Sequence, residues 1–115
     1  MEEPKMSGSL NSITNINSFI GMEFCTFRLK DGASEEKMLE AAKNMEQEFL
    51  SKEHGFLGHG VLKGKDGTYV DLAFATSQEK AESICGKWME NEFALKYLEF
   101  IDSESVDLSF WERIK

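Results

Sequence analysis

Asp71 has the strongest claim to chemistry in this chain. It sits inside an alternating apolar run, Tyr69-Val70-Asp71-Leu72-Ala73-Phe74-Ala75, where an ionised carboxylate is disfavoured unless something pairs with it. Facing a cavity, a buried aspartate would have its pKa raised by lost hydration and could serve as a general base. The same position suits a structural carboxylate bonded to a neighbouring strand, a helix N-terminus or an arginine. His59 stands between Gly58 and Gly60. The glycines leave room for a close approach, so this imidazole could shuttle a proton or touch a ligand; a strand histidine at a subunit seam is the plainer alternative. Glu23 opens an earlier strand, and beside Asp71 the two carboxyls would push their pKa values apart. Asp71 and His59 are thus the candidate catalytic residues, with Glu23 on the candidate pocket wall.

Trp88 and Trp111 could supply flat walls for an apolar ligand. Trp88 shares a helical stripe with Ile84 and Met89, which equally makes it core. Trp111 shares a strand face with Asp107 and Ser109, which equally suits a dimer interface. His54 is placed to cap a helix C-terminus, and the acidic runs at 35–36 and 46–48 read as solvated helix faces. Cys25 and Cys85 lie far apart with no Cys/His clustering, so neither zinc nor a disulfide framework is indicated. Small buried thiols in a reducing, cytoplasmic setting fit better. No phosphate loop, nucleophile elbow or metal-ligand spacing occurs, so no metal is expected.

These residues must be held by elements, and the pattern supplies six or seven. MEFCTFRL (22–29) reads as a strand and Lys30-Asp31-Gly32 as a turn. Ser34 is a helix N-cap ahead of a stripe of Met38, Leu39, Ala42, Met45, Phe49 and Leu50, with Gly55 as the stop. Residues 56–64 and 67–75 form a hairpin around Gly64-Lys65-Asp66-Gly67, and Gly58 and Gly60 suggest a bulge. Thr76 and Glu79 make a capping box for a helix carrying Ala81, Ile84, Cys85, Trp88 and Met89 on one face. Asn91 interrupts, 92–101 reads as a shorter helix, and 105–114 as a final strand. The order is β-α-β-β-α-β, the ferredoxin-like α+β arrangement with four antiparallel strands and the helices on one face.

The 115 residues make one domain, read as a flexible N-terminal extension over 1–21 and a folded body over 22–115. A net charge of −8 argues against nucleic acid and anionic membranes as partners, and no apolar run approaches the length of a membrane span. The strands are apolar on both faces while the helices cover one. A sheet of this kind exposes too large a patch unless a second sheet packs on it, so a homodimer with a cavity between the sheets is expected.

Four segments, EFCTFRLKDGASEEKMLEAA (23–42), HGFLGHGVLK (54–63), DGTYVDLAFATSQEKA (66–81) and FIDSESVDL (100–108), occur in the order and spacing found in a known group. Over residues 22–114 the chain resembles the dimeric α/β-barrel proteins of the antibiotic-biosynthesis-monooxygenase-like superfamily, nearest to an uncharacterised branch. The resemblance implies a sheet-on-sheet homodimer and a pocket between sheet and helices for an apolar, aromatic small molecule. It also implies oxidation without a cofactor in some members and haem degradation in others. At pocket positions where that branch often has a His-Trp pair and a further His, this chain has Phe74, Ala75 and Phe110. Phe74 and Phe110 therefore join Glu23, Trp88 and Trp111 as pocket candidates. Haem is not favoured, because neither His54 nor His59 falls in the second helix, where the resemblance places a ligating histidine. A small-molecule binding protein without a reaction of its own is the alternative expectation.

Overall fold

The computed structural model describes residues 18–115, so most of the extension expected over 1–21 lies outside the described residues. The elements are β1 (Gly21–Phe27), α1 (Glu35–Glu48), β2 (Phe56–Lys63), β3 (Tyr69–Ala75), α2 (Gln78–Cys85), α3 (Glu92–Leu98) and β4 (Asp107–Glu112). The strands form one antiparallel sheet in the order β2-β3-β1-β4, and the helices cover one of its faces. This is the expected ferredoxin-like arrangement. Among the described residues no helix is long and apolar enough to cross a membrane.

Capping chemistry sets the helix limits. The Ser34 hydroxyl accepts the Lys37 N–H at 3.1 Å, and α1 buries Met38, Ala42 and Met45. It ends at Phe49, before Gly55, because a short 3₁₀ turn over Leu50–Lys52 follows. His54 is exposed beyond that turn and caps no helix end. At α2 the cap is Ser77, one residue after the expected Thr76, since the Thr76 N–H is already committed to the Gly55 carbonyl. The helix then stops at Cys85, and a second 3₁₀ turn carries Trp88 and Met89. Met89 is consequently 69% exposed instead of lying on a buried stripe. Asn91, read as a break, is the N-cap of α3, accepting from Phe93 and Ala94 N–H groups.

Beside this cap chemistry, one close approach fixes how α2 meets the sheet. A Cβ at Gly21 would lie 2.0 Å from the Ser77 carbonyl oxygen, so only glycine lets β1 pass beneath the start of α2. The bulge expected around Gly58 and Gly60 is present in β2, at Gly58. Counting back from the hairpin bend, His59 opposes Ala73, while the register shifts between Phe56 and Gly58. Strict alternation from Phe56 would have sent His59 to the outer face. With the extra residue, both Phe56 and His59 face the helices.

Register divides the sheet cleanly. Glu23, Cys25 and Phe27 of β1 oppose Ala73, Asp71 and Tyr69 of β3 and face the helices. Met22, Phe24, Leu72 and Phe74 face the other way, as do Leu62 and Trp111. On the helix side the deepest side chains are Tyr97, Phe27, Met38, Met45 and Leu50.

Candidate functional site

The inner register brings three ionisable side chains together from three strands. Glu23 and His59 flank Ala73 from either side, and Asp71 is the next inward position along β3. The helices add two more: α1 contributes Glu46 and α3 contributes Tyr97. Glu23, Glu46, His59, Asp71 and Tyr97 are all buried.

Asp71 is the hub. Its Oδ2 accepts the Tyr97 hydroxyl at 2.6 Å and lies 2.8 Å from His59 Nε2. The other imidazole nitrogen, Nδ1, is 3.7 Å from Glu46 Oε1. Burial alone would push the His59 pKa down, but the charge and hydrogen bond of Asp71, joined by Glu46, outweigh it and lift the imidazole to about 9. His59 is therefore an imidazolium between two carboxyl groups at neutral pH. Burial would likewise raise Asp71; the facing imidazolium reverses that and holds the carboxyl below its ordinary value. The raised pKa expected at Asp71 is thus overturned, and it falls on Glu23 instead. Burial, then the Asp71 charge, push Glu23 well above the usual carboxylate range.

Glu23 Oε1 and Asp71 Oδ1 are the two buried side-chain oxygens, among the described residues, with no hydrogen-bond donor on them. The two carboxyls are close enough for each to shift the other, Asp71 raising Glu23 and Glu23 lowering Asp71. A proton kept on Glu23 and donated to ionised Asp71 satisfies both oxygens and removes the repulsion between them.

This carboxyl pair forms the polar end of a cavity of about 220 Å³ between sheet and helices. Glu23, Asp71 and Tyr97 line that end, and Phe27, Trp88, Ile101 and Leu108 are among the apolar walls. Cys25 and Cys85 also reach the cavity as free thiols. Burial first, and then the Asp71 charge, push both up to about 11, so they stay protonated. Among the described residues no group of three or more potential ligands is arranged to hold a metal ion.

Of the residues singled out in the sequence, Glu23, Asp71 and Trp88 meet at the cavity, and His59 stands behind Asp71. Phe74 and Trp111 do not join them, because their positions put them on the outer face. The Phe74 ring packs edge-on against Phe19 at 4.9 Å, and Trp111 is 54% exposed with its indole N–H on Ser109 Oγ. Phe110 is on the inner side opposite Glu23 but does not reach the cavity. Tyr97 and Glu46 are not among the site residues that the sequence suggests. Tyr97 falls three residues after Ala94 and four before Ile101, both buried, and Glu46 falls between buried Ala42 and Phe49. A lone charge or hydroxyl inside an apolar helical stripe was the available signal. Glu46 is accordingly a buried member of the site, contrary to the solvated face expected for 46–48.

The sequence matches no family model and no curated protein. Solved structures match over most of the chain. A monooxygenase from the gene ActVA-Orf6 of Streptomyces coelicolor, in complex with nanaomycin D, superposes with a TM-score of 0.65 at 22% identity, covering 88% of this chain and 93% of that one. SnoaB, a cofactor-independent oxygenase from Streptomyces nogalater, gives 0.65 at 12% identity over 84% and 95%. A conserved protein from Methanosarcina mazei gives 0.60 at 12% identity over 84% and 95%. The chain has the fold of the antibiotic-biosynthesis-monooxygenase-like proteins, and at these identities the fold is what is shared.

Proposed function

We propose that this protein binds a small, largely apolar aromatic molecule in the cavity and moves a proton between that ligand and the Glu23–Asp71 pair, as the opening step of an oxidation or isomerisation. The observation that carries the reading is the meeting of two buried carboxyls, Glu23 pushed above and Asp71 held below the ordinary carboxylate range, at the polar end of an otherwise apolar cavity. An acid and a base held side by side can take a proton from one ligand position and return one to another. The volume of about 220 Å³ exceeds the ~150 Å³ apolar cavity known to take benzene, and suits a fused-ring ligand.

In this reading Asp71, with the Tyr97 hydroxyl still on its Oδ2, accepts a hydroxyl proton or a proton from carbon beside a carbonyl, and Glu23 then turns its own proton from Asp71 to the ligand oxygen that gains charge. An electron-rich anion formed in this way can reduce dioxygen itself, so no cofactor is called for; SnoaB, with the same fold, is described as cofactor-independent. For a naphthohydroquinone the balance is simple: two protons and two electrons leave the ring for dioxygen, giving naphthoquinone and hydrogen peroxide. We read the assembly as a homodimer that buries the outer sheet face, and the two free thiols as suited to the cytoplasm.

Naphthohydroquinone is the first probe. Native mass spectrometry should show it bound, and oxygen uptake should exceed autoxidation in buffer. Asp71→Asn should lower that excess at least ~100-fold, and Glu23→Gln ~10-fold or more, with binding retained. Turnover unchanged in Asp71→Asn would remove Asp71 as the base. Binding without turnover in the unaltered protein would favour the second reading, a carrier without a reaction. That reading is supported by the two contacts Asp71 Oδ2 already makes within the protein.

A further inference from the structure

Glu46 is an ionisable side chain that the fold buries behind the cavity instead of in it. It is 7% exposed, on the sheet-facing side of α1, and its nearest ionic partner is His59 Nδ1 at 3.7 Å. His59 in turn does not touch the cavity; its Nε2 meets Asp71 Oδ2 at 2.8 Å. The result is a line of groups, Glu46, His59, Asp71, Glu23, running from α1 through β2 and β3 to β1, with only the last two lining the cavity.

A buried charge carries a desolvation cost that only a partner offsets. The doubly protonated imidazole is the partner the fold offers Glu46, its Nδ1 lying 3.7 Å from Glu46 Oε1. An imidazolium at that place keeps Asp71 ionised, and an ionised Asp71 keeps the proton on Glu23. Each group fixes the protonation of the next.

We infer that Glu46 is a positioning residue: acting through His59 from outside the cavity, it sets how far up the pH scale an imidazolium still faces the Glu23–Asp71 pair. The inference rests on reading that pair as the proton-handling group. The groups facing His59 are Asp71 from β3, Glu46 from α1 and Tyr97 from α3, whose ring is edge-on to the imidazole at 6.4 Å. Tyr97 stays a phenol, because burial and then the Asp71 charge push it well above its ordinary value, so it adds no charge. Cys25 and Cys85, from β1 and α2, remain neutral thiols. Glu46 is the only one of these groups able to stabilise the imidazolium without touching the cavity.

The test needs no substrate. Nitrogen NMR of the imidazole and carbon NMR of the carboxyls are followed against pH in the unaltered protein, Glu46→Gln and Glu46→Asp. In Glu46→Gln the His59 midpoint should fall by about one pH unit or more, and the step in the Asp71 and Glu23 carboxyl signals that accompanies loss of the imidazolium should move down with it. Glu46→Asp, which keeps the charge, should restore much of both. An unmoved His59 midpoint in folded Glu46→Gln would overturn the inference and leave Glu46 as packing. If Glu46→Gln fails to fold, a Glu46→Asp midpoint unlike that of the unaltered protein, in the direction of a weaker partner, supports the inference; an identical fold with His59 already neutral below pH 7 in the unaltered protein overturns it. Normal NMR behaviour with no ligand bound would instead count against the proposed function alone.

Discussion

At the scale of single residues the buried network makes stability depend on pH in a definite direction. An unfolded histidine loses its proton near 6.5, whereas folded His59 keeps it to about 9. Below 6.5 both states hold that proton and the contribution is complete. Between 6.5 and about 9 only the folded state holds it, so stability falls as pH rises and the contribution is gone above that window. Its size is about 3 kcal/mol. Glu23, also raised, acts the same way: its contribution is complete below 4.5 and is lost as pH climbs through its higher folded value. Asp71, lowered, acts oppositely, contributing above 3.8 and losing that contribution as pH falls. The thermal midpoint should therefore be highest in mildly acidic buffer and drop by roughly 10 °C between pH 6.5 and 9. His59→Gln should flatten that drop while lowering the midpoint everywhere, since it strands the Asp71 charge. A midpoint that climbs from pH 6.5 to 9 in the unaltered protein would contradict the assigned protonation states.

Elements decide whether those residues meet. α3 has seven residues, too few to persist alone, yet it carries the hydroxyl that binds Asp71. Its Asn91 cap accepts N–H groups at 2.9 and 3.0 Å, so Asn91→Ala should cost about 1–2 kcal/mol in urea unfolding. It should also speed amide hydrogen exchange across α3. Ser34→Ala, at the cap of α1, should cost about 1 kcal/mol and leave α3 exchange alone; equal effects of the two on α3 would show that its cap has no local role. The same elements explain what the sequence could reveal. Alternation in 69–75 already separated Asp71 from Phe74, and a carboxylate inside a strand was visible at both Asp71 and Glu23. Which face carried the cavity depended on the pairing of four distant strands, so Phe74 and Trp111 were grouped with residues on the far side of the sheet. Thr76 and Ser77 both satisfy a capping pattern, and only the bond from Thr76 to Gly55 chooses between them. Glu46 was hidden because its neighbours Gln47 and Glu48 are exposed, which made the whole segment look solvated.

For the whole molecule the unresolved balance is between an apolar outer sheet face and a strongly acidic chain. Met22, Phe24, Val70 and Leu72 lie on that face with Leu62, 52% exposed, and Trp111, and no helix among the described residues covers them. Phe19 shields part of it, resting on Phe74 with the Arg113 guanidinium over its ring at 4.9 Å. Stable pairs bury about 800 Å² per partner, and burying apolar area at about 25 cal/mol per Å² is the available driving force. Against it, two copies each carrying −8 repel. The repulsion is long-ranged and screened by salt, while the sheet contact is not. Sheet-on-sheet pairing should therefore tighten as ionic strength rises, the reverse of an interface held by ion pairs. Sedimentation equilibrium should give a dimer whose dissociation constant falls about tenfold or more from 10 mM to 300 mM salt. Leu72→Glu should abolish pairing at both. The His59 titration on the other face of the sheet should stay in place, because its partners all belong to one chain. A dimer that weakens with salt, or one that survives Leu72→Glu, would place the contact on a different surface.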